Sequence, residues 1–176
     1  MKGGTTMLKM LGVWMIIGSC SALGLSLSRE MTARQHALRE QIKALQVIKT
    51  EILFRRAPLQ EIASLLEHAC DGRTADFYRL TVQTALKKGM TLQSSALRHR
   101  GRLHRMGLNK DDESAIMDVL QVLGKYDGAA QAETINRSVA RLERSLAALR
   151  EESASKGRLY RAIGVTAGIT LALIVI

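Results

Sequence analysis

Two long uncharged stretches, one near each end of the chain, limit its architecture more than any other feature. The first covers the 17 residues from Leu11 to Leu27, and the second covers the 15 residues from Ala162 to Ile176. At about 1.5 Å per helical residue the first stretch reaches about 25 Å, close to the thickness of a bilayer's hydrocarbon core. The pattern predicts an N-terminal transmembrane segment over residues 1–28, a middle domain over 29–158 and a C-terminal transmembrane helix over 159–176.

Positive charge beside both stretches predicts the orientation of the middle domain. The first stretch is followed, and the second preceded, by basic residues: Arg29, Arg34 and Arg39, then Lys156, Arg158 and Arg161. Lysine and arginine near a span are retained on the cytoplasmic side of the membrane. We therefore expect a multi-pass membrane protein with two spans, whose middle domain faces the cytoplasm.

A short motif inside the first stretch keeps a second topology open. Ile17-Gly18-Ser19-Cys20 has the form of a lipobox, in which the cysteine receives a lipid and the preceding residues are removed. In that alternative the protein is an exported lipoprotein adaptor anchored through Cys20. Export would have to carry a domain that begins with three arginines within twenty residues of Cys20, which the retention of positive charge opposes.

The first and last helices of the middle domain are predicted from narrow apolar stripes. The stripe of the first contains Met31, Leu38, Ile42, Leu45 and Ile52, and that of the last contains Ile135, Val139, Leu142, Leu146 and Leu149. The second set follows the alternating steps of four and three that are typical of a coiled coil. We expect the two helices to pair antiparallel as a stalk, the last one continuing into the C-terminal apolar stretch.

Four shorter helices are predicted between these two from residues that start or end helices. Pro58 fits a first turn, Thr74, Thr91 and Asn109 fit N-caps, and Gly89 and Gly107 fit C-terminal ends. Their buried faces are expected to include Leu86 and Leu97. An aromatic content of 3% leaves little material for a β-rich core. The predicted fold class is all-α, a six-helix cytosolic bundle with the four short helices at the far end of the stalk.

The common sequence motifs of enzymes and metal sites are absent from the chain. The chain carries no P-loop, no HExxH and no cysteine quartet, and its four histidines are scattered. His68 and Cys70 are too sparse for a metal site, and Cys70 is expected to pack as a small buried thiol. We therefore expect no enzymatic activity, no catalytic or metal-ligating residues and no cofactor.

The most distinctive polar stretch is LRHRGRLHRMG, which places four guanidinium groups within eight residues: Arg98, Arg100, Arg102 and Arg105. Guanidinium groups pair with carboxylates and with phosphates, so the cluster can dock an acidic protein surface or lipid headgroups. No aromatic residue lies in the stretch to stack on bases, and nucleic acid is not an expected partner. The other interpretation is a solvated helix face. Charge reversal at Arg100 and Arg102 is expected to weaken partner binding and leave the bundle folded.

Two glycines in the second apolar stretch, Gly164 and Gly168, lie four residues apart. This spacing allows a second membrane helix to approach closely. The other interpretation is that glycine is simply common in membrane helices.

Two further stretches carry a family resemblance. Glu51 to Leu59 has the form EI-x-F-x-x-x-PL, and Leu123 to Gln131 has the form LG-x-x-D-x-x-x-Q. Together with the order of the two apolar ends, they resemble the stage III sporulation protein AB family of endospore-forming bacteria over nearly the whole chain from Met7. That family is similar to the platform proteins of type II secretion and type IV pilus machines, whose cytoplasmic domains are six-helix bundles.

The resemblance implies a function. The protein would be a non-enzymatic membrane platform or adaptor of the channel complex between mother cell and forespore. Its implied partners are a secretion-type ATPase, stage III sporulation protein AA, other membrane proteins of the sporulation channel, and membrane lipids. The middle domain would face the mother-cell cytoplasm.

Overall fold

A computed structural model of the chain describes residues 30–55, 57–125 and 127–175, and from residue 156 onward it describes the backbone alone. The residues from Ala33 onward form one compact unit, and Met1–Thr32 form another, of which only residues 30–32 are described. Throughout the described ranges every regular element is helical. The all-α prediction with six helices is therefore confirmed.

The six helices follow the predicted order. Helix α1 covers residues 30–50 and ends in a π-helical turn, Glu51–Arg55. The others are α2 (Leu59–Ala69), α3 (Gly72–Lys88), α4 (Leu92–Arg105), α5 (Lys110–Val122) and α6 (Gly128–Val175). As predicted, α6 continues without a break into the C-terminal stretch.

Capping side chains fix where most of the short helices begin. Thr91 and Asn109 cap α4 and α5 as predicted, and Asn109 forms a capping box with Asp112. Helix α3 corrects the prediction, because Asp71 caps it by accepting a hydrogen bond from the Thr74 N–H at 2.8 Å. Thr74 is fully buried inside the helix. Pro58 is the residue before α2 and does not lie in its first turn.

Helices α1 and α6 run antiparallel, as predicted. Near the start of α1, Gln35 Nε2 donates a hydrogen bond to Ser153 Oγ at 3.1 Å. At the other end, a Cβ placed on Gly128 would lie 3.6 Å from Ile52 Cγ2. About 25 Å of helix separates these two contacts. We call the end with Gln35 and Ser153 the near end of the bundle, and the end with Ile52 and Gly128 the distal end.

The position of the four short helices differs from the prediction. Arg34, at the near end, forms an ion pair with Asp112 at the start of α5, with 3.0 Å between Nη2 and Oδ2. Leu59, at the start of α2, lies beside Gly124 at the distal end. The short helices thus pack along the α1 and α6 pair and not only at its far end. The cause is that both long helices bury their stripes along this whole length, including Leu38, Leu45, Ile48, Ile135 and Leu142.

Two residues expected in the core are instead exposed. Leu86 and Leu97 keep 52% and 53% of their surface accessible. Polar residues on α3 and α4 are buried in their place. The face that each helix turns to the core is therefore not the face predicted from its apolar residues. Ser95, for example, is fully buried because its hydroxyl donates to the Thr81 carbonyl oxygen at 2.7 Å, satisfying both groups.

The structure does not show the predicted membrane spans. Among its described residues, none of the helices combines the length and the apolar character that crossing a bilayer requires. The N-terminal stretch with Cys20 lies outside the described residues, and so do the side chains at positions 164 and 168.

Candidate functional site

The two stretches that carry the family resemblance meet at the distal end and line a groove of about 620 Å³. We call it the distal groove. The first stretch contributes Ile52, Pro58 and Leu59, and the second contributes Gly124, Asp127 and Gln131. The sequence pattern did not predict that these stretches are neighbours, because 63 residues lie between Leu59 and Leu123 and no local pattern indicates a contact across that distance.

The π-helical turn at the end of α1 shapes one wall of the groove. The Ala57 N–H points back to the Glu51 carbonyl oxygen at 3.5 Å, and Pro58 then holds an extended backbone, with φ −61° and ψ 149°. A proline disfavours helical geometry in the residue before it, so the chain leaves α1 here. The turn leaves Phe54 81% exposed and Leu53 38% exposed. Isolated π-helical turns occur frequently at functional sites.

The opposite wall is the connection from α5 to α6. Gly124 has φ +76°, a backbone conformation that glycine adopts without a steric penalty. Asp127 then caps α6, because its Oδ1 accepts a hydrogen bond from the Ala130 N–H at 2.7 Å. This hydrogen bond fixes the start of α6 at the edge of the groove.

Some charged side chains near the distal groove have partners within the described ranges, and others do not. Arg55 pairs with two acids, with 3.5 Å between its Nη1 and Glu51 Oε2 and 3.9 Å between its Nη2 and Glu61 Oε1. The carboxylate of Asp127 accepts the capping hydrogen bond of α6. Lys125 is exposed and makes no ion pair within the described part of the chain.

The four clustered arginines all lie on α4, but they do not form one surface. Arg98, Arg102 and Arg105 are spaced four and three apart and share one face of the helix, which we call the arginine face. Arg100 points elsewhere, since its Nε is bound to Oε2 of Glu113, whose side chain is only 4% exposed. Reversing the charge of Arg100 would set two carboxylates against each other. The expectation that the bundle tolerates this reversal is therefore revised.

One of the histidines interleaved with the arginines is held in the bundle and does not add to the positive charge. His99 Nε2 lies 3.0 Å from the Thr84 hydroxyl oxygen. Burial and the neighbouring charges of Arg102 and Arg98 lower the pKa of His99. The ring is thus neutral near neutral pH, and the cationic character of the arginine face comes from guanidinium groups.

The arginine face ends beside the near end of the bundle. A Cβ placed on Gly107, two residues after Arg105, would lie 3.4 Å from the Arg34 Cβ. The distal groove and the C-terminal end of α4 therefore lie at opposite ends of α1.

The described ranges offer no candidate metal site and no activated thiol. They contain no group of three or more histidine, cysteine or acidic side chains that could hold a metal ion. Cys70 is a partly buried free thiol, and burial, together with the charge of Glu40, raises its pKa to about 11. A thiol with a raised pKa is a poor nucleophile.

Comparison with known proteins gives concordant results. A family model described as stage III sporulation protein AB matches residues 9–176. Stage III sporulation protein AB of Bacillus subtilis (strain 168) is 25% identical over 174 residues, which is 96% of this chain and 99% of that protein. A solved structure of a stage III sporulation protein AB superposes with a TM-score of 0.62 at 17% identity, covering 69% of this chain and 97% of the other. This last likeness concerns the fold alone.

Proposed function

The chain belongs to the stage III sporulation protein AB family, and on that basis we propose that it is a non-enzymatic membrane platform of the mother-cell-to-forespore channel complex. Two spans anchor it, and the helical bundle faces the mother-cell cytoplasm. It works beside a secretion-type ATPase, stage III sporulation protein AA, as the resemblance described above implies.

One observation carries the proposal. Gln35 and Ser153 are hydrogen bonded, so the chain enters and leaves the bundle at the same end. A domain tethered to one face of a membrane through both of its termini requires this arrangement. The basic residues next to the two apolar stretches support a cytoplasmic orientation.

The arginine face suits contact with the membrane surface in this arrangement. Arg34 follows Leu27, the last residue of the first apolar stretch, by seven positions, so the proposed topology brings the near end close to the membrane surface. The end of α4 lies beside Arg34. Arg98, Arg102 and Arg105 can therefore pair with lipid phosphates, and each basic residue close to an anionic surface adds about 1 kcal/mol.

Cysteine labelling tests the topology. We would replace Cys20 and Cys70 by serine and introduce Gln83→Cys, because Gln83 is exposed on α3. A membrane-impermeant maleimide should label this cysteine only after protoplasts are opened, and the parent without it should stay unlabelled. Labelling in intact protoplasts would place the bundle outside the cytoplasm and overturn the proposal.

Radioactive palmitate provides an independent test with the natural sequence. Incorporation that disappears in Cys20→Ser would support the exported lipoprotein alternative and exclude the two-span platform. No incorporation, together with co-purification of the ATPase from sporulating cells in mild detergent, is the result that the proposal requires.

A further inference from the structure

We propose that a groove between α1 and α6 binds an acidic helix of a protein partner, whose carboxylates pair with Arg39, Lys43 and Arg150. We call it the cationic groove. It has a volume of about 390 Å³, and residues of α1 and α6 alone form its walls. The site is separate from the distal groove and from the arginine face, and it does not depend on the proposed membrane anchoring.

The three cations of the groove lie close together along the helix pair. Gln35 and Ser153 are hydrogen bonded across the two helices. Arg39 follows the α1 partner of that bond by four residues, and Arg150 precedes the α6 partner by three. Because the helices are antiparallel, Arg39 and Arg150 lie at about the same level, about 5–6 Å from the bond. Lys43 lies one further turn along α1, so both walls of the groove carry positive charge.

The cations of the groove have no ion-pair partner within the described part of the chain. Arg39, Lys43 and Arg150 are all exposed, and none of them lies within ion-pair distance of a described carboxylate. The lining contains one acid, Glu143, about 10 Å along α6 from Arg150. Like charges four residues apart on a helix, such as Arg39 and Lys43, repel each other. A carboxylate bound between them would remove this repulsion, so the groove favours an anionic ligand.

The form of the groove favours a helix over a small anion. Sites for small molecules bury about 70–90% of their ligand, whereas the charged walls here are exposed. A third helix can pack against a helix pair with its axis about 8–10 Å away, and Ala147, a small exposed residue of the lining, allows this close approach. Carboxylates one turn apart on that helix would face Arg39 and Lys43, which are also one turn apart.

The composition of the lining and the charge of the chain narrow the occupant further. The lining residues, all within the described ranges, include no aromatic side chain to stack on bases, which disfavours nucleic acid. The chain as a whole carries a net charge of +10, so two copies repel each other and an acidic partner is attracted. The occupant is therefore an acidic protein.

Fluorescence anisotropy of a labelled peptide tests the proposal with the full-length chain in a neutral detergent. The peptide is alanine-rich, carries glutamate at every fourth position and is about 20 residues long, which allows it to be helical in water. At low salt it should bind at least about tenfold more tightly than the same peptide with glutamine in place of glutamate, and the difference should shrink as salt rises. Equal affinity of the two peptides would overturn the proposal. A third peptide keeps the glutamates but has its helix broken by central prolines, and equal affinity of this peptide would overturn it as well.

Charge reversal in the groove shows where the peptide binds. Arg39→Glu and Arg150→Glu should each weaken binding by about three- to tenfold at low salt. Arg73→Glu is the matched control, because Arg73 is an exposed arginine of α3 outside the lining, and it should change affinity by less than about twofold. An equal loss in Arg73→Glu would show that the peptide responds to net charge alone, which contradicts a site in the groove.

Folding and binding are separated by two further measurements. The melting temperatures of the three variants should stay close to that of the natural chain, because all three side chains are exposed. Arg39→Gln removes the positive charge without adding a negative one, and it should weaken binding by a smaller factor than Arg39→Glu does. Unchanged binding in Arg39→Gln and in Arg39→Glu would overturn the proposal.

A photo-crosslinker at position 147 identifies the occupant. It should join the chain to the acidic peptide. Crosslinked pairs of the chain that persist with the peptide in excess would make a second copy the occupant. Vesicles of phosphatidylglycerol and phosphatidylcholine provide the last comparison. Vesicle binding that Arg39→Glu and Arg150→Glu abolish, without peptide binding, would make lipid headgroups the occupant, and either of these results would overturn the proposal.

Discussion

Removing the carboxylate of Asp112 should destabilise the bundle at its near end. Asp112 is 1% exposed and joins two elements. Its Oδ2 accepts a hydrogen bond from Arg34 Nη2 at 3.0 Å, and it also accepts one from the Asn109 N–H at 3.2 Å. Asp112→Ala therefore breaks the tie between α1 and α5 and half of the capping box of α5.

The expected cost is about 3 kcal/mol. Removing one partner of a buried ion pair costs about 3–5 kcal/mol. The Arg34 side chain is 26% exposed, so water partly replaces its lost partner and the cost falls to about 2–3 kcal/mol. Losing half of the capping box adds about 0.5–1 kcal/mol. For a chain of this length, about 3 kcal/mol lowers the melting temperature by about 6–12 °C.

Thermal unfolding of the full-length chain in mild detergent, followed by far-UV circular dichroism, measures this cost. Asp111→Ala is the matched control, because Asp111 is an exposed acid in the same helical turn and should contribute about 0.5 kcal/mol. In a double-mutant cycle with Arg34→Met, the two changes should be non-additive by about 1–2 kcal/mol. Equal shifts in Asp112→Ala and Asp111→Ala, or an additive cycle, would refute the buried ion pair as a source of stability.

Three further predictions concern other residues. Tyr78→Phe should cost about 1–2 kcal/mol, because the hydroxyl donates to a buried glutamine oxygen at 2.9 Å that is then left without this donor. Gly89→Ala should lower the melting temperature, since Gly89 has φ +60°, while Gly101→Ala should raise it in an open helical position. Burial raises the pKa of Cys70 to about 11, which lowers the fraction of reactive thiolate. In a Cys20→Ser background at about pH 8, Cys70 should therefore react with iodoacetamide about 100-fold more slowly in the folded chain than after unfolding. Equal reaction rates would contradict this prediction.

Local signals predicted the helices well because each is fixed by a few neighbouring residues. Thr91, Asn109 and Gly89 end or begin helices through backbone groups within one turn, so their roles can be read from the sequence. Thr74 misled the prediction because Asp71 caps the helix three residues earlier, where its carboxylate accepts a hydrogen bond from the Thr74 N–H. Where two capping residues compete, the sequence does not show which of them the core will bury.

Tertiary arrangement was harder to predict because it depends on polar groups satisfied across long distances. Gln41 is fully buried and accepts a hydrogen bond from the Tyr78 hydroxyl, 37 residues away. An apolar pattern excludes such a glutamine from the core, and by the same rule it placed Leu86 inside. The distal groove was missed for a related reason. Its walls come from two stretches far apart in the sequence, and no local pattern shows that they meet.

The two ends of the bundle have different chemistry and are joined by rigid elements. The near end holds the Arg34–Asp112 ion pair and the end of α4, and the distal end holds the groove. Between them, α1 and α6 are continuous helices with buried stripes, and neither contains a proline or a described break. A change at one end, such as Asp112→Ala at the near end, would therefore reach the other end by shifting packed helices and not by bending a hinge.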